Sequence, residues 1–363
     1  MKLFFDARYI ELDFHNGISR YSTELAQAIA PMHDDITFII SDERQKKFLP
    51  DGAKTIQIHK NTSVKEPFTS LILNKYHPDV VFTPMQTMGS LGRKFKLILT
   101  LHDLIYYHYR SAPRQFNPVI RAGWWLYHAS YAPQRFVLNR ADCVATVSKT
   151  SKQEIESVHL TKRPVIVTYN APQPLASLLD APFTLPTAPP THLIYMGSFM
   201  EYKNVETLIK GMAFLPGYTL HLLSRVQPRR KQQLETLVPK GATVVFHNGV
   251  SDETYAQLLA NEALTVSASL DEGFGIPVAD SLALGVPAVI SDIPAFHEVA
   301  GDGAYYFDPK SPERFADAIK AASNLSVYQT LSQKGQEHVH RFNWTTSAGV
   351  LLSEVQRLYS QDR

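Results

Sequence analysis

The chain has 363 residues, of which 36 are lysine or arginine and 34 are aspartate or glutamate, giving a formal net charge of +2. This balance gives no global reason to expect nucleic-acid binding. The length is too great for one ordinary hydrophobic core and suits two α/β domains of about 150 to 180 residues each. The single cysteine, Cys143, cannot form an internal disulfide, and its apolar neighbours predict a buried side chain in a reducing compartment.

No part of the sequence reads as a membrane-spanning helix or a cleaved leader. Apolar runs stay below the roughly 18 uncharged residues that a span requires, and Met1-Lys2 leads directly into a strand-like run. We therefore expect a cytoplasmic protein, with peripheral contact at the inner face of the membrane as the alternative.

Short β-rich runs alternate with helical patterns along most of the chain, which implies parallel sheets with helices on both faces and hence a doubly wound α/β class. The strands predicted in the first half are Lys2–Phe5, Ile36–Ile40, Val80–Thr83, Leu97–Leu101 and Cys143–Val147. Those predicted in the second half are Leu193–Met196, Thr219–Leu223, Thr243–Phe246, Leu264–Ala268 and Ala288–Ile290.

The alternation stops between residues 170 and 192, where six prolines crowd a segment with little periodicity. The predicted domains are therefore residues 1–170 and 192–344, joined by a proline-rich linker over 171–191. An amphipathic segment over 345–363 predicts a final helix that can pack on either domain, including a return to the first.

The strongest local pattern runs from Leu270 to Pro287. A strand leads into the loop Asp271-Glu272-Gly273-Phe274-Gly275, and a helix follows, with Pro277 in its first turn and Gly285 at its end. The amides after Gly273, on Phe274, Gly275 and Ile276, lie at a helix N-terminus, which favours a phosphate. Glu272 and Asp280 offer carboxylates to sugar hydroxyls. The alternative is a solvated loop whose acids only cap the helix.

This segment resembles the acid-x7-acid signature of the retaining GT-B glycosyltransferases of family 4, and the resemblance extends over most of the chain. It implies two Rossmann-like domains that face each other across a cleft. It further implies that Glu272 contacts hydroxyls of the transferred sugar and that Asp280 binds the nucleotide ribose. The family usually has glutamate at the second position, so the shorter Asp280 departs from the pattern.

The strand, turn and helix of residues 194–208 resemble the family's first such unit in the donor domain, where an arginine and a lysine grip the donor diphosphate. Lys203 matches the lysine, whereas Ser198 stands at the arginine position, where its hydroxyl can donate a hydrogen bond to the donor but supplies no charge. Arg225, which follows the strand ending near Leu223, is the candidate replacement, with an ordinary surface arginine as the alternative.

Three motifs of the first half also resemble cleft-lining elements of the family. The run His15 to Tyr21 resembles the N-terminal glycine loop, in which Gly17 faces the donor phosphates and Asn16 and Arg20 face the acceptor. His102 matches a histidine near the transferred sugar. Ser148 matches a serine at a strand end, although serine is also a common helix cap.

Residues 104–141 contain no acidic residue, but five arginines occur there among tyrosines and tryptophans: Arg110, Arg114, Arg121, Arg135 and Arg140. Arginine beside interfacial aromatic residues is typical of contact with an anionic membrane or a lipid-linked acceptor, and Arg110 and Arg114 are assigned to the acceptor side. The alternative is that Trp124 and Trp125 form the buried stripe of a helix.

The resemblance implies a hexosyltransferase that retains the anomeric configuration, with His102, Lys203 and Glu272 as the catalytic group. The donor is expected to be GDP-mannose first and a UDP-hexose such as UDP-glucose second. A glycan or lipid-linked hydroxyl is the expected acceptor, and no cofactor or metal is expected. Two alternatives stay open: a protein that binds a nucleotide or sugar without transfer, and a two-domain epimerase or phosphorylase.

Overall fold

The structure is a computed structural model that describes residues 1–13, 16–112 and 117–361. The chain divides into two compact units. Unit 1 contains Met1–Tyr107, Ala122–Asn170 and Phe342–Arg363, and unit 2 contains His108–Arg121 and Ala171–Arg341. Each unit is built around one parallel sheet, so the doubly wound α/β class predicted from the sequence is confirmed.

The sheet of unit 1 has the strand order β3-β2-β1-β4-β5-β6-β7, and every neighbouring pair is parallel. Its strands are β1 (Leu3–Asp6), β2 (Ile36–Ile40), β3 (Lys54–Gln57), β4 (Val80–Thr83), β5 (Lys96–Thr100), β6 (Cys143–Thr146) and β7 (Val165–Val167). The sheet of unit 2 has the order β10-β9-β8-β11-β12-β13 and is also parallel throughout. Its strands are β8 (His192–Tyr195), β9 (Thr219–Leu222), β10 (Thr243–Phe246), β11 (Ala263–Ser267), β12 (Ala288–Ser291) and β13 (Ala304–Phe307).

Helices connect most of these strands. From the N-terminus they are α1 (Gly17–Ile29), α2 (Thr69–Leu73), α3 (Ile105–His108), α4 (Pro118–His128), α5 (Ala132–Leu138), α6 (Lys149–Ser157) and α7 (Val205–Gly211). They continue as α8 (Pro228–Glu235), α9 (Asp252–Ala260), α10 (Ile276–Leu284), α11 (Pro294–Ala300), α12 (Pro312–Ala322), α13 (Leu325–Val339) and α14 (Trp344–Ser360). Among the helices within the described residues, none is both long and apolar enough to cross a bilayer.

The ten predicted strands are all present, each within one residue of its predicted ends. They are continuous apolar runs because a parallel sheet covered on both faces buries both sides of its strands; β2 and β11, for example, are buried along their whole length. Cys143 in β6 is buried as predicted, and burial raises the pKa of its thiol, which makes it a poor nucleophile.

The division between the units falls at Asn170 and Ala171, and the segment that follows is part of unit 2. Leu175 is only 1% exposed and packs in an apolar cluster with Ile194 and Tyr255. The final helix α14 belongs to unit 1, where it packs against α1, and Ser347 Oγ donates to Tyr169 O at 2.8 Å. Residues 108–121 interrupt unit 1 and belong to unit 2, a division that the sequence pattern does not indicate.

Candidate active site

The candidate site of unit 2 lies where the order of its strands reverses. Strand β8 has β9 on one side and β11 on the other, so the connections after β8 and β11 leave the sheet in opposite directions. Open parallel sheets bind ligands at this switch point, outside the carboxyl ends of the strands. Lys203 follows β8 and Glu272 follows β11, so the topology brings the two side chains to the same place.

A short turn, Glu201–Lys203, and the left-handed residue Asn204 (φ 48°) begin helix α7. The side-chain amide of Asn204 donates to Ala268 O at 3.2 Å and to Pro309 O at 2.6 Å, and Leu270 N donates to Tyr202 O at 2.7 Å. These bonds tie the loop after β8 to the loop after β11. The position of Lys203 relative to Glu272 is therefore fixed by the backbone.

The predicted diphosphate-binding lysine and sugar-binding acid form an ion pair in the structure. Lys203 Nζ lies 2.5 Å from Glu272 Oε1, and Ser269 Oγ donates to the same carboxylate oxygen at 2.8 Å. The side chains of Lys203 and Glu272 are only 16% and 10% exposed, so solvent screens their attraction weakly. The sequence predicts both residues but not this contact.

Helix α10 begins beside this pair, and its first turn is built as the sequence predicts. Gly275 caps it with φ 102°, and a Cβ there would lie 2.8 Å from Cε1 of Phe296, so two independent constraints require glycine. Pro277 lies in the first turn, and Gly285 ends the helix in the left-handed conformation (φ 97°). Gly273, Phe274 and Ile276 flank the cap, so their amides lie at the N-terminus of α10.

A small pocket that is open to solvent joins these elements. Lys203, Glu272, Gly275, Tyr195 and Phe296 contribute to its lining. Tyr195 is a site residue that the sequence analysis did not single out, because it reads only as a strand residue. Its hydroxyl donates to Ser198 O at 2.6 Å, and burial raises its pKa, so it stays a neutral donor.

Asp280 is 2% exposed, and its two carboxylate oxygens accept from the backbone and side-chain amides of Gln173, at 2.8 and 2.9 Å. In this structure the carboxylate fixes the start of the segment after Asn170 to α10. Ribose binding at Asp280, as the family resemblance implies, stays a prediction and would require Gln173 to share or give up these contacts.

Arg225 as the replacement for the charge missing at Ser198 stays a prediction, and the structure shows the surroundings of two arginines in unit 2. Ser198 is exposed, and Arg225 is exposed with its aliphatic stem against Gly249. A second arginine, Arg230 of α8, donates to Phe199 O at 3.2 Å and pairs with Glu206 at 2.6 Å. The sequence gives no signal for these contacts of Arg230, because the segment Pro228–Glu235 is typical of a solvated polar helix.

In unit 1, Asn16 caps helix α1, with its side-chain oxygen accepting from Ser19 N at 2.9 Å. Gly17 is the first residue of that helix, and Arg20 lies one turn further on. His15, which belongs to the same predicted loop, lies outside the described residues. The assignment of Gly17 to the donor and of Asn16 and Arg20 to the acceptor stays a prediction.

His102 follows β5, and its Nε2 lies 2.8 Å from Pro84 O. A carbonyl oxygen only accepts, so Nε2 carries the proton and Nδ1 presents a lone pair. Burial lowers the pKa of His102, which keeps the ring neutral at pH 7, and Tyr21 packs edge-on against it at 5.2 Å. His102 can therefore accept a hydrogen bond from a hydroxyl, but it is not a proton donor of imidazolium type.

Ser148 is fully buried and caps α6, with its hydroxyl oxygen accepting from Ser151 N at 2.9 Å. The structure thus gives it the capping role that the sequence analysis left as the alternative. Arg110 is exposed, and Arg114 lies outside the described residues.

The comparisons with known proteins agree with this architecture. Residues 15–171 match the family described as Glycosyltransferase Family 4, and residues 184–338 match the family described as Glycosyl transferases group 1. Sucrose-phosphate synthase from Thermosynechococcus elongatus has a similar fold, with a TM-score of 0.73 and 18% identity over 99% of both chains. HepE from Anabaena, solved with UDP and glucose, gives a TM-score of 0.71 and 17% identity over 98% of this chain and 99% of that one.

The two Rossmann-like sheets and these structural neighbours show the GT-B fold, and the two family matches define the class of protein as a glycosyltransferase. In sequence the chain is 26% identical to the O-antigen chain mannosyltransferase RfbU of Salmonella typhimurium over 337 residues, which is 85% of this chain and 88% of that protein. The chain belongs to the group 1, family 4 type of GT-B glycosyltransferases, and it is a hexosyltransferase.

Proposed function

We propose that the chain transfers mannose from GDP-mannose to a hydroxyl of a glycan or lipid-linked acceptor with retention of anomeric configuration, in glycan biosynthesis. The placement of Lys203 and Glu272 at the switch point of unit 2, beside the N-terminus of α10, carries the proposal. RfbU is named as a mannosyltransferase, which supports mannose as the first candidate. A UDP-hexose donor is the second candidate, supported by the UDP and glucose in the HepE structure.

In the proposed reaction the bond between the sugar C1 and the diphosphate oxygen breaks, and a bond from C1 to the acceptor oxygen forms on the same face. The acceptor proton goes to the departing phosphate oxygen. Lys203 and the amides at the start of α10 stabilise the charge that develops on the diphosphate, and Glu272 orients the sugar through its hydroxyls. Arg225 is the proposed further cation, and His102 is proposed to accept a hydrogen bond from the sugar.

We expect GDP or UDP to stabilise the protein against thermal unfolding, whereas ADP and dTDP stabilise it less. A ligand at 100 times its dissociation constant adds about 2.7 kcal/mol. The nucleotide that binds then selects the sugar donors for a transfer assay, in which nuclear magnetic resonance reads the anomeric configuration of the product. Binding without transfer to a panel of glycan and lipid-linked acceptors would favour a binding protein, and an inverted product would contradict retention.

The acceptor side of the proposal rests on helix α4. Trp124 packs against Tyr106 and His128, with ring centroids at 4.8 and 4.5 Å, whereas Trp125 is 54% exposed. Trp124 is therefore half-buried among aromatic rings, whereas Trp125 is exposed. Other large apolar side chains exposed on this helix and the next are Val119, Ile120, Leu126 and Phe136.

The same stretch of the sequence carries positive charge, which complements an anionic surface. Arg135 donates to Val158 O and His159 O, and Arg140 lies over the ring of Phe136, so both contribute to packing within unit 1. Arg110 and Arg121 are exposed in a stretch without acidic residues. We propose that α4 contacts an anionic membrane that carries the acceptor, since aromatic and apolar side chains beside arginine suit that interface.

We expect the protein to float with vesicles that contain phosphatidylglycerol, and we expect the double change Trp125→Ser and Leu126→Ser to remove most of that binding. Binding should fall with salt, because exposed charges are screened over about 8 to 10 Å. Val64→Ser is the matched control. Val64 is 91% exposed elsewhere in unit 1, and its replacement should leave vesicle binding unchanged. Failure to bind anionic vesicles at low salt would make a soluble glycan the better acceptor.

A further inference from the structure

The ion pair between Lys203 and Glu272 bears on which nucleotides the site accepts. In the proposed function these two side chains bind different parts of the donor: the ammonium group contacts the diphosphate, and the carboxylate contacts the sugar. Yet Lys203 Nζ lies 2.5 Å from Glu272 Oε1. A diphosphate and the carboxylate therefore compete for the same ammonium group.

We infer that Glu272 acts as an internal competitor that weakens the binding of a nucleoside diphosphate without a sugar, and that the sugar of the donor relieves this competition. The inference rests on the proposed function only in requiring that Lys203 meets a diphosphate. It goes beyond that function because it assigns the Lys203–Glu272 contact a role in distinguishing the nucleotide-sugar donor from the product nucleoside diphosphate.

The charges at the site support this inference. A diphosphate that attracts Lys203 places further negative charge beside Glu272, whose side chain is only 10% exposed, and leaves the carboxylate without its cation. A nucleotide sugar offsets that loss, since its hydroxyls donate hydrogen bonds to the carboxylate. The free nucleoside diphosphate lacks this sugar, and its own hydroxyls lie on the ribose, on the other side of the diphosphate. After transfer, the diphosphate of the product nucleotide therefore competes with Glu272 for Lys203, whereas in the donor the sugar hydroxyls offset this competition.

The backbone prevents the pair from separating easily. Asn204 and Leu270 tie the two loops together, so the loops that carry Lys203 and Glu272 are held close to each other. The hydroxyl of Ser269, at 2.8 Å, also fixes the carboxylate on the side of Lys203. The ion pair can therefore be broken by rotation of one of its side chains, or by a group that replaces the Lys203 ammonium at the Glu272 carboxylate.

The test is titration calorimetry of GDP, UDP, ADP and dTDP with the full chain and its variants. Glu272→Gln removes the charge but keeps the size, and we expect it to tighten the best nucleoside diphosphate about tenfold or more while it lowers the rate of sugar transfer. Glu272→Asp keeps the charge but withdraws it by one methylene, and it should increase the affinity for the nucleoside diphosphate by less. In a chain that already carries Lys203→Gln, Glu272→Gln should not increase this affinity.

Asp271→Asn is the matched control. It removes one negative charge from the neighbouring residue, whose carboxylate pairs with His108 at 2.7 Å and not with Lys203. An equal gain from Asp271→Asn would show a general charge effect and overturn the inference, and so would unchanged or weaker binding by folded Glu272→Gln. If no nucleoside diphosphate binds to either the wild type or Glu272→Gln, both the proposed donor and the inference are wrong. Binding by the wild type without the gain overturns the inference alone.

Discussion

Lys203→Ala and Glu272→Ala are each expected to reduce kcat/KM for sugar transfer by at least about a hundredfold, which is the loss typical of removing one preorganised electrostatic contact to a transition state. Lys203 is the cation at the switch point, and Glu272 is the acid beside it. Because the two side chains contact each other, the double variant should lose much less than the product of the single losses.

Matched substitutions separate this effect from a loss of folding. Lys210→Ala, on the exposed face of α7, and Glu253→Ala, in the exposed first turn of α9, remove the same side-chain types away from the pocket and should leave kcat/KM nearly unchanged. Far-ultraviolet circular dichroism should be the same for all variants. Near-normal turnover in folded Lys203→Ala or Glu272→Ala would remove that residue from the site.

The fold was largely predictable because its strands are continuous apolar runs. The three strands that the sequence analysis omitted, β3, β7 and β13, are sheet edges of three or four residues, where the pattern is too short to be recognised. Strand β3 contains only one large apolar residue, Ile56, and its side chains are half-buried or exposed. Edge strands pair on one side only, so their sequences are less constrained than those of central strands.

The sequence points to candidate site residues one by one, but it does not predict the contacts between them. Lys203 and Glu272 each follow a recognisable strand, yet they are 69 residues apart, and their ion pair depends on the order of β8 and β11 in the sheet. The bonds from Gln173 to Asp280 span 107 residues and leave no local signal. The contact of Arg230 with Phe199 O likewise leaves no local signal in the sequence, because only the tertiary structure brings the two residues together.

A buried ionic cluster in unit 1 carries the second large expected effect. Arg8 follows β1, its side chain is 0% exposed, and its guanidinium contacts Asp6 at 2.8 Å and Glu66 at 2.7 Å. Thr83 and Thr69 also donate to these carboxylates, at 3.2 and 3.1 Å. Two buried carboxylates thus share one guanidinium, which joins the end of β1 to the segment before α2, and His59 Nδ1 lies 3.6 Å from the Glu66 carboxylate.

Arg8→Met should destabilise unit 1 by about 3 to 5 kcal/mol, since removing one partner of a buried ion pair leaves charge without compensation. Urea unfolding followed by tryptophan fluorescence measures it, because Trp124, Trp125 and Trp344 all belong to unit 1. Arg44→Met is the matched control: Arg44 pairs with Asp42 on the surface, its side chain is 71% exposed, and little change is expected.

The pH dependence of the Arg8→Met deficit distinguishes uncompensated charge from lost packing. Burial already raises the pKa of Glu66, and loss of the guanidinium should raise it further in the folded variant. A carboxyl whose pKa is higher in the folded than in the unfolded state binds more protons when folded, so stability increases as pH falls through that interval. The deficit should therefore shrink between pH 7 and about pH 5. A deficit that is independent of pH would assign the effect to packing of the arginine stem, and a variant as stable as the wild type would show that the cluster does not stabilise unit 1.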